Sequence, residues 1–248
     1  RLTAHLLGAA GNRVGMTNSD GVYVDNLRID TGDCSGPRSA RSVLMHPDVD
    51  AAVFETARGG ILREGLAFDR CNVAIVTNIG MGDHLGLGYI STVEDLAVVK
   101  RVIVQHVHPT GTAVLNAADP IVAEMAASCP GTITYFAEDR NHPVLATHRA
   151  QGLRSVYRDG DAIVAAQGAE EVRFPLADIP LTRNGTITFQ VENAMASIAA
   201  AWALDLDWDI IRRGLATFVN DAQTAPGRFN VFCLLYTSPS PRDRQKSR

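Results

Sequence analysis

Between residues 48 and 137, short apolar runs alternate with helical stretches, and few folds accept that pattern. Asp50–Phe54 (D-A-A-V-F), Asn72–Thr77 (N-V-A-I-V-T), Thr112–Leu115 and Thr132–Phe136 are nearly unbroken apolar runs of strand length. Apolar residues at both parities of the two-residue repeat mark strands covered on both faces. A helical stretch at Ile61–Phe68 lies between the first two and completes a βαβ unit. A second, at 121–127, lies between the last two, with Asp119 as N-cap and Pro120 in the first turn. Parallel strands need such crossovers, so the segment is predicted to form a doubly wound, mostly parallel α/β sheet.

The flanks are simpler. Residues 2–10 read as a helix closed by Gly11. Val14–Met16 and Val22–Ile29 read as strands joined by an S-D-G turn, and Ser39–Met45 as a helix stopped before His46-Pro47. From 143 to 191 the pattern changes to short β-like pieces (Ser155–Tyr157, Ala162–Ala165, Glu171–Phe174, Thr186–Val191) between D-G-D, Q-G-A and R-N-G turns. They predict a small antiparallel appendage. Helices at Glu192–Leu204 and Trp208–Phe218 follow, the latter behind Asp207 as N-cap, and then T-A-P-G-R-F reads as a hinge. Residues 234–248 are polar, proline-broken and basic, and read as a disordered, non-native tail.

Composition removes several function classes. A formal net charge of −4 gives no electrostatic case for nucleic acid or an anionic membrane as partner. No apolar run approaches the roughly 18 residues of a membrane span. Cys34, Cys71, Cys129 and Cys233 are scattered without a CxxC or a histidine at zinc spacing, as expected of idle thiols in a reducing cytoplasm.

In an open parallel sheet, ligands bind beyond the carboxyl ends of the strands. Glu55 follows one predicted strand, and Asn78, Asp83 and His84 follow another. Gly59 and Gly60 accompany the first site, and Gly80, Gly82, Gly86 and Gly88 the second. They serve either as turn residues or as places where backbone N–H groups meet an anion. The next helix opens with a Ser91-x-x-Glu94 capping box. At about 100° per residue, Val93, Leu96, Ile103, Val104 and Val107 share one arc, with Lys100 in its middle. A buried unpaired ammonium is costly, so Lys100 either snorkels to solvent or has a function.

T-G-D-C-S-G-P-R-S-A, F-E-T-A-R-G-G-I-L-R-E-G-L, V-T-N-I-G-M-G-D-H-L-G and T-A-P-G-R-F-N together resemble the cyanophycin synthetases, in their part similar to the Mur ligases. The resemblance covers roughly residues 1–232. It implies a Mur ligase central-domain fold, itself similar to P-loop NTPases, and an ADP-forming amide ligase that works through an acyl phosphate. In that family a separate ATP-grasp domain extends a poly-aspartate backbone. The Mur-like part joins arginine to each aspartate side-chain carboxylate.

Residue by residue, the resemblance implies Glu55 as a ligand of a magnesium ion on ATP. It implies His84 at a second magnesium, and Lys100 as a carbamylated metal ligand. Asn193 matches an asparagine that contacts adenine, with a helix N-cap as its plain alternative. Arg228 matches a hinge arginine that reaches the phosphates, with a solvated hinge charge as its alternative. Asp33, Ser35 and Arg38 lie in a loop that the polymer could touch. ATP and Mg2+ are the implied cofactors, a poly-aspartate primer and arginine the partners, a homo-oligomer the implied assembly and the cytoplasm the location.

No G-x-x-x-x-G-K-[ST] phosphate loop occurs, and N-A-A-D-P at 116–120 places Ala118 where the family suggests an aspartate. Residues 1–225 are thus expected to form a central domain without its first strand and phosphate loop. Residues 226–233 are expected to be a hinge into a further domain, and the chain alone to be inactive. The competing readings are another Mur-like ligase, of the cell-wall-precursor or folylpolyglutamate type, and a non-catalytic module of the same fold.

Overall fold

A computed structural model describes residues 1–79 and 90–219. Helix α1 (Leu2–Ala9) leads through Gly11, at φ +91°, into β1 (Val14–Asn18). The expected strand at Val22–Ile29 is two strands, β2 (Gly21–Val24) and β3 (Leu27–Thr31). Asp25 and Asn26, both at positive φ (47° and 65°), turn the chain between them, as aspartate and asparagine tolerate. Helix α2 (Pro37–Leu44) opens two residues earlier than expected, with Pro37 in its first turn.

Strand β4 (Ala51–Phe54) pairs parallel to β1 and closes a four-stranded sheet in the order β3-β2-β1-β4. After α3 (Arg58–Glu64), β5 (Cys71–Val76) begins a second sheet. The βαβ unit expected over 50–77 therefore does not close. Among the described residues, β4 and β5 are each the last strand of their own sheet. Both edges line one cleft of about 700 Å³.

The second sheet, in the order β10-β9-β8-β7-β6-β5, carries the predicted parallel core. Helix α4 (Val93–Gln105) links β5 to β6 (Val107–Asn116), and α5 (Pro120–Glu124) with a 3-10 turn links β6 to β7 (Thr132–Ala137). A short helix that the sequence reading passed over, α6 (Pro143–Ala150), leads to β8 (Ser155–Asp159), parallel to β7. Strands β9 (Ala162–Gln167) and β10 (Glu170–Pro175) add the antiparallel appendage. Thr186–Val191 is not its last strand. From Thr188 it is the start of α7 (Thr188–Ala203), whose alanine-rich run continues the same helix. Helix α8 (Trp208–Thr217) follows, and Asp207 caps it through the Asp209 N–H.

The apolar runs of β5, β6 and β7 pack on both faces, whereas β4 is half-buried along its length. Val73, Ile75, Val114 and Phe136 pack into a core with α7, while Ala74, Val76, Leu115 and Tyr135 pack into another with α4. Ala194, Ala196, Ala199 and Ala200 are all buried, and such small side chains let α7 lie close against the sheet.

Candidate active site

The Glu55 backbone leaves β4 hydrogen-bonded to the next strand: its N–H donates to Thr17 O at 2.9 Å. Its exposed carboxylate is steadied from the β1–β2 turn, with Oε2 accepting the Ser19 N–H at 3.4 Å. The chain then enters α3, whose Gly60 packs against the loop before α2. A Cβ at Gly60 would stand 3.0 Å from Pro37 Cδ and 3.1 Å from Gly36 Cα. Gly60 thus lies inside a helix and is closely packed, a role separate from the turn and anion-binding readings of the sequence.

Across the cleft, β5 ends at Val76, and Thr77 Oγ1 donates to Asn78 Oδ1 at 3.0 Å. Lys100 is half-buried on α4, and its Nζ donates to Asn78 O at 3.4 Å. The capping box that opens α4 is Thr92 with Asp95, one residue beyond the expected Ser91–Glu94 pair. This helix aims Lys100 at the end of β5, with Leu96 and Val104 buried beneath. The stem packs, as a snorkelling lysine's would, but the amine ends in the cleft. Glu55, Thr56, Thr77, Asn78 and Lys100 line that one cavity.

Asp119 joins the loops after β5 and β6. Its Oδ1 caps α5 through the N–H groups of Ile121 and Val122, and its Oδ2 accepts the Ile79 N–H at 2.7 Å. The sequence reading found the cap and missed the second contact. Its only signal was that both loops leave the carboxyl ends of neighbouring strands.

The structure does not place Asn193 in the cleft lining. It lies inside α7 rather than at an N-cap, exposed, with Nδ2 donating to Gln190 Oε1 at 3.1 Å. Beside it, burial first and the Glu138 charge second raise the Glu192 carboxyl above its ordinary range. In the loop before α2, Asp33 is held ionised by the Ser35 hydroxyl and N–H, whereas Arg38, expected in that loop, lies in the first turn of α2 and pairs with Glu64 at 3.0 Å. Asp83, His84 and Arg228 lie outside the described residues, as do the hinge at 226–233 and the tail at 234–248.

Among the described residues no three histidine, cysteine, aspartate or glutamate side chains gather at one point. At the strand ends the cleft instead offers the Glu55 carboxylate, the Thr56 and Thr77 hydroxyls and the Asn78 carboxamide. Magnesium takes such a set: oxygen donors, few carboxylates, and the rest of its shell from phosphates and water. The three described cysteines are consistent with their idle reading, and Cys233 lies outside the described residues. Cys34, Cys71 and Cys129 are free, and burial, with a smaller contribution from Cys129, pushes the Cys71 thiol up to about 11.

Residues 1–201 match the Mur ligase middle domain. The chain is 44% identical over 236 residues to the cyanophycin synthetase of Synechocystis sp., covering 94% of this chain and 27% of that protein. The UDP-N-acetylmuramyl-tripeptide synthetase of Deinococcus radiodurans is 25% identical over 96% of this chain and 46% of its own length. Among solved structures, a UDP-N-acetylmuramoyl-L-alanyl-D-glutamate–2,6-diaminopimelate ligase superposes with a TM-score of 0.65 at 18% identity, over 88% of this chain and 43% of that one. No described helix is long and apolar enough to cross a membrane. The motif-based resemblance to cyanophycin synthetases thus holds along nearly the whole chain, which spans about a quarter of their length, and the chain belongs to the Mur ligase middle-domain family.

Proposed function

We propose that this chain is the central part of an ATP-dependent, ADP-forming ligase that adds arginine to the aspartate side chains of a poly-aspartate backbone. The observation that carries the reading is the convergence of Glu55, Thr77, Asn78 and Lys100 on one cleft at the carboxyl ends of β4 and β5. The 44% identity to a cyanophycin synthetase supports the choice of substrate.

In this reaction an aspartate side-chain carboxylate attacks the γ-phosphate of ATP, ADP leaves, and the arginine amine displaces phosphate from the acyl carbon. Such chemistry asks a protein for positioning and charge neutralisation. Magnesium supplies neutralisation at the phosphates when bound. Glu55 would hold it, its carboxylate oriented by the Ser19 N–H. His84 would hold a second ion together with Lys100, the latter in carbamylated form. Asn193 would contact the adenine and Arg228 the phosphates. Assembly as a homo-oligomer in the cytoplasm belongs to the same reading.

The cleft between the edges of β4 and β5 has the form of a gap in a parallel sheet. Among the described residues neither edge pairs with a further strand, and the apolar side chains of Val53, Val73 and Ile75 are only partly covered. A strand that carries a phosphate loop, from polypeptide outside these 248 residues, would complete both ladders and bring N–H groups beside Glu55.

The test is ADP release by the full-length protein with a poly-aspartate primer, with and without arginine. Arginine-dependent ADP release, lost in Glu55→Ala while aspartate addition persists, is the expected result. Release that follows a muramyl-peptide or folate substrate instead of arginine would make it another Mur-like ligase. No release with any of these would make it a non-catalytic module.

A further inference from the structure

Asp119 uses one carboxylate for two purposes. Oδ1 accepts from Ile121 N at 3.0 Å and from Val122 N at 3.2 Å, which caps α5. A cap needs a single oxygen, and serine or asparagine would serve as well. Oδ2 accepts from Ile79 N at 2.7 Å, across 40 positions of sequence. Only a carboxylate offers two acceptor atoms in this fork, and hydrogen bonds to an ionised acceptor are about twice as strong as neutral ones.

The grip is applied from a fixed frame to a specific point. Asn116 Oδ1 accepts the Ala118 N–H at 2.9 Å, and the Ala117 N–H donates to Phe136 O at 2.8 Å, so the loop holding Asp119 is tied down on both sides. Ile79 is buried, and it follows the residue whose carbonyl accepts from Lys100 Nζ. We propose that Asp119 is a positioning residue: by holding the Ile79 N–H it fixes the backbone at which Asn78 meets Lys100, and so the spacing of the magnesium-binding cleft. The inference rests on the ligase reading for its consequence, while the anchor stands on the hydrogen bonds alone.

The test uses the full-length protein with Asp119→Ser, which keeps a capping oxygen but cannot span to Ile79, and Asp119→Asn as a second variant with one acceptor oxygen. Amide deuterium exchange at Ile79 is expected to accelerate in both, with the melting temperature close to that of the unsubstituted protein. The magnesium concentration for half-maximal arginine-dependent ADP release is expected to rise about tenfold, the scale seen when support for a metal ligand is removed, with kcat at saturating magnesium unchanged. Faster exchange at Ile79 with an unchanged magnesium requirement would overturn the proposal. So would a fall in kcat and melting temperature together without a magnesium shift, which is the mark of a merely structural tie. If the unsubstituted protein showed no arginine-dependent release, the ligase reading would fail. Slowing of exchange at Ile79 by magnesium, present there and lost in Asp119→Ser, would still support the anchor, and its presence in both would refute it.

Discussion

Lys100 Nζ reaches the Asn78 carbonyl oxygen at 3.4 Å, bridging the middle of α4 to the end of β5. The lysine stem lies among apolar neighbours while its amine stands in a cleft with Glu55. Replacing Lys100 by methionine keeps the stem's packing and removes the nitrogen. In the full-length protein, Lys100→Met is expected to lower arginine addition by at least about a hundredfold, on the scale of losing one preorganised polar group. Its melting temperature should stay close to the original. Normal arginine incorporation would remove this lysine from the mechanism. Intact-mass measurement in bicarbonate buffer reports whether the amine carries a carbamate.

Glu55→Gln separates charge from shape. The carboxamide oxygen can still accept the Ser19 N–H that now meets Oε2 at 3.4 Å, so the side chain should keep its place. A neutral amide is a far weaker magnesium ligand than a carboxylate. Titrating magnesium against ADP release is therefore expected to show a much higher requirement. An unchanged magnesium dependence would place the ion elsewhere.

Among the described residues β4 and β5 each leave a strand edge facing the cleft, and the 248-residue sequence has no phosphate-loop motif. Calorimetric titration of the isolated chain with MgATP is expected to show no micromolar binding. The full-length protein should show it. Micromolar binding by the isolated chain would mean that the described residues hold the nucleotide without a further strand and loop.

Much of the fold was legible, because the parallel core announces itself through runs that are apolar at both parities. Val73 and Ala74 point to opposite cores, as a strand covered on both faces requires. What failed were the places where distant partners decide. The run at Asp50–Phe54 looks like a neighbour of Asn72–Thr77, yet β4 pairs with β1, which lies in a different part of the sequence. Thr186–Val191 has β-branched residues that suit a strand, but helix α7 takes it up from Thr188 to bury Gln190 and Val191 against the rest of the fold. Glu55 and Lys100 were found through their positions relative to predicted elements, and the structure puts both in one cleft. The second role of Asp119 was not legible, since a hydrogen bond across 40 residues leaves no local pattern.

Gly111 and Gly131 are glycines for want of space. A Cβ at Gly131 would lie 2.4 Å from Gly111 O and 2.7 Å from His108 O, and one at Gly111 would lie 2.4 Å from Asn72 O. These are backbone atoms of the β5–β6–β7 ladder and cannot yield as a side chain could. Gly131→Ala is expected to destabilise by about 1–3 kcal/mol, the usual cost of forcing atoms into a packed site. Urea unfolding followed by circular dichroism measures it, and an unchanged midpoint would show that the strands can part at this point.

His148 makes stability depend on pH in a definite direction. It is buried on α6, edge-on to the Tyr135 ring, with Nε2 hydrogen-bonded to Ile133 O at 3.2 Å. Burial holds its pKa below the ordinary 6.5, against the smaller opposing effect of its backbone contacts. The unfolded chain, with an ordinary histidine, therefore binds more protons than the folded one between the two values. Stability must then rise with pH across that window. It should be fully present above about pH 6.5 and be lost as the pH falls through the lowered folded value. Glutamine at 148 can still donate to Ile133 O but cannot take up a proton. The expected result is a shallower fall in melting temperature between pH 7 and pH 5 for His148→Gln than for the original chain. Parallel curves would mean that burial of this ring contributes nothing to the acid side of the stability profile.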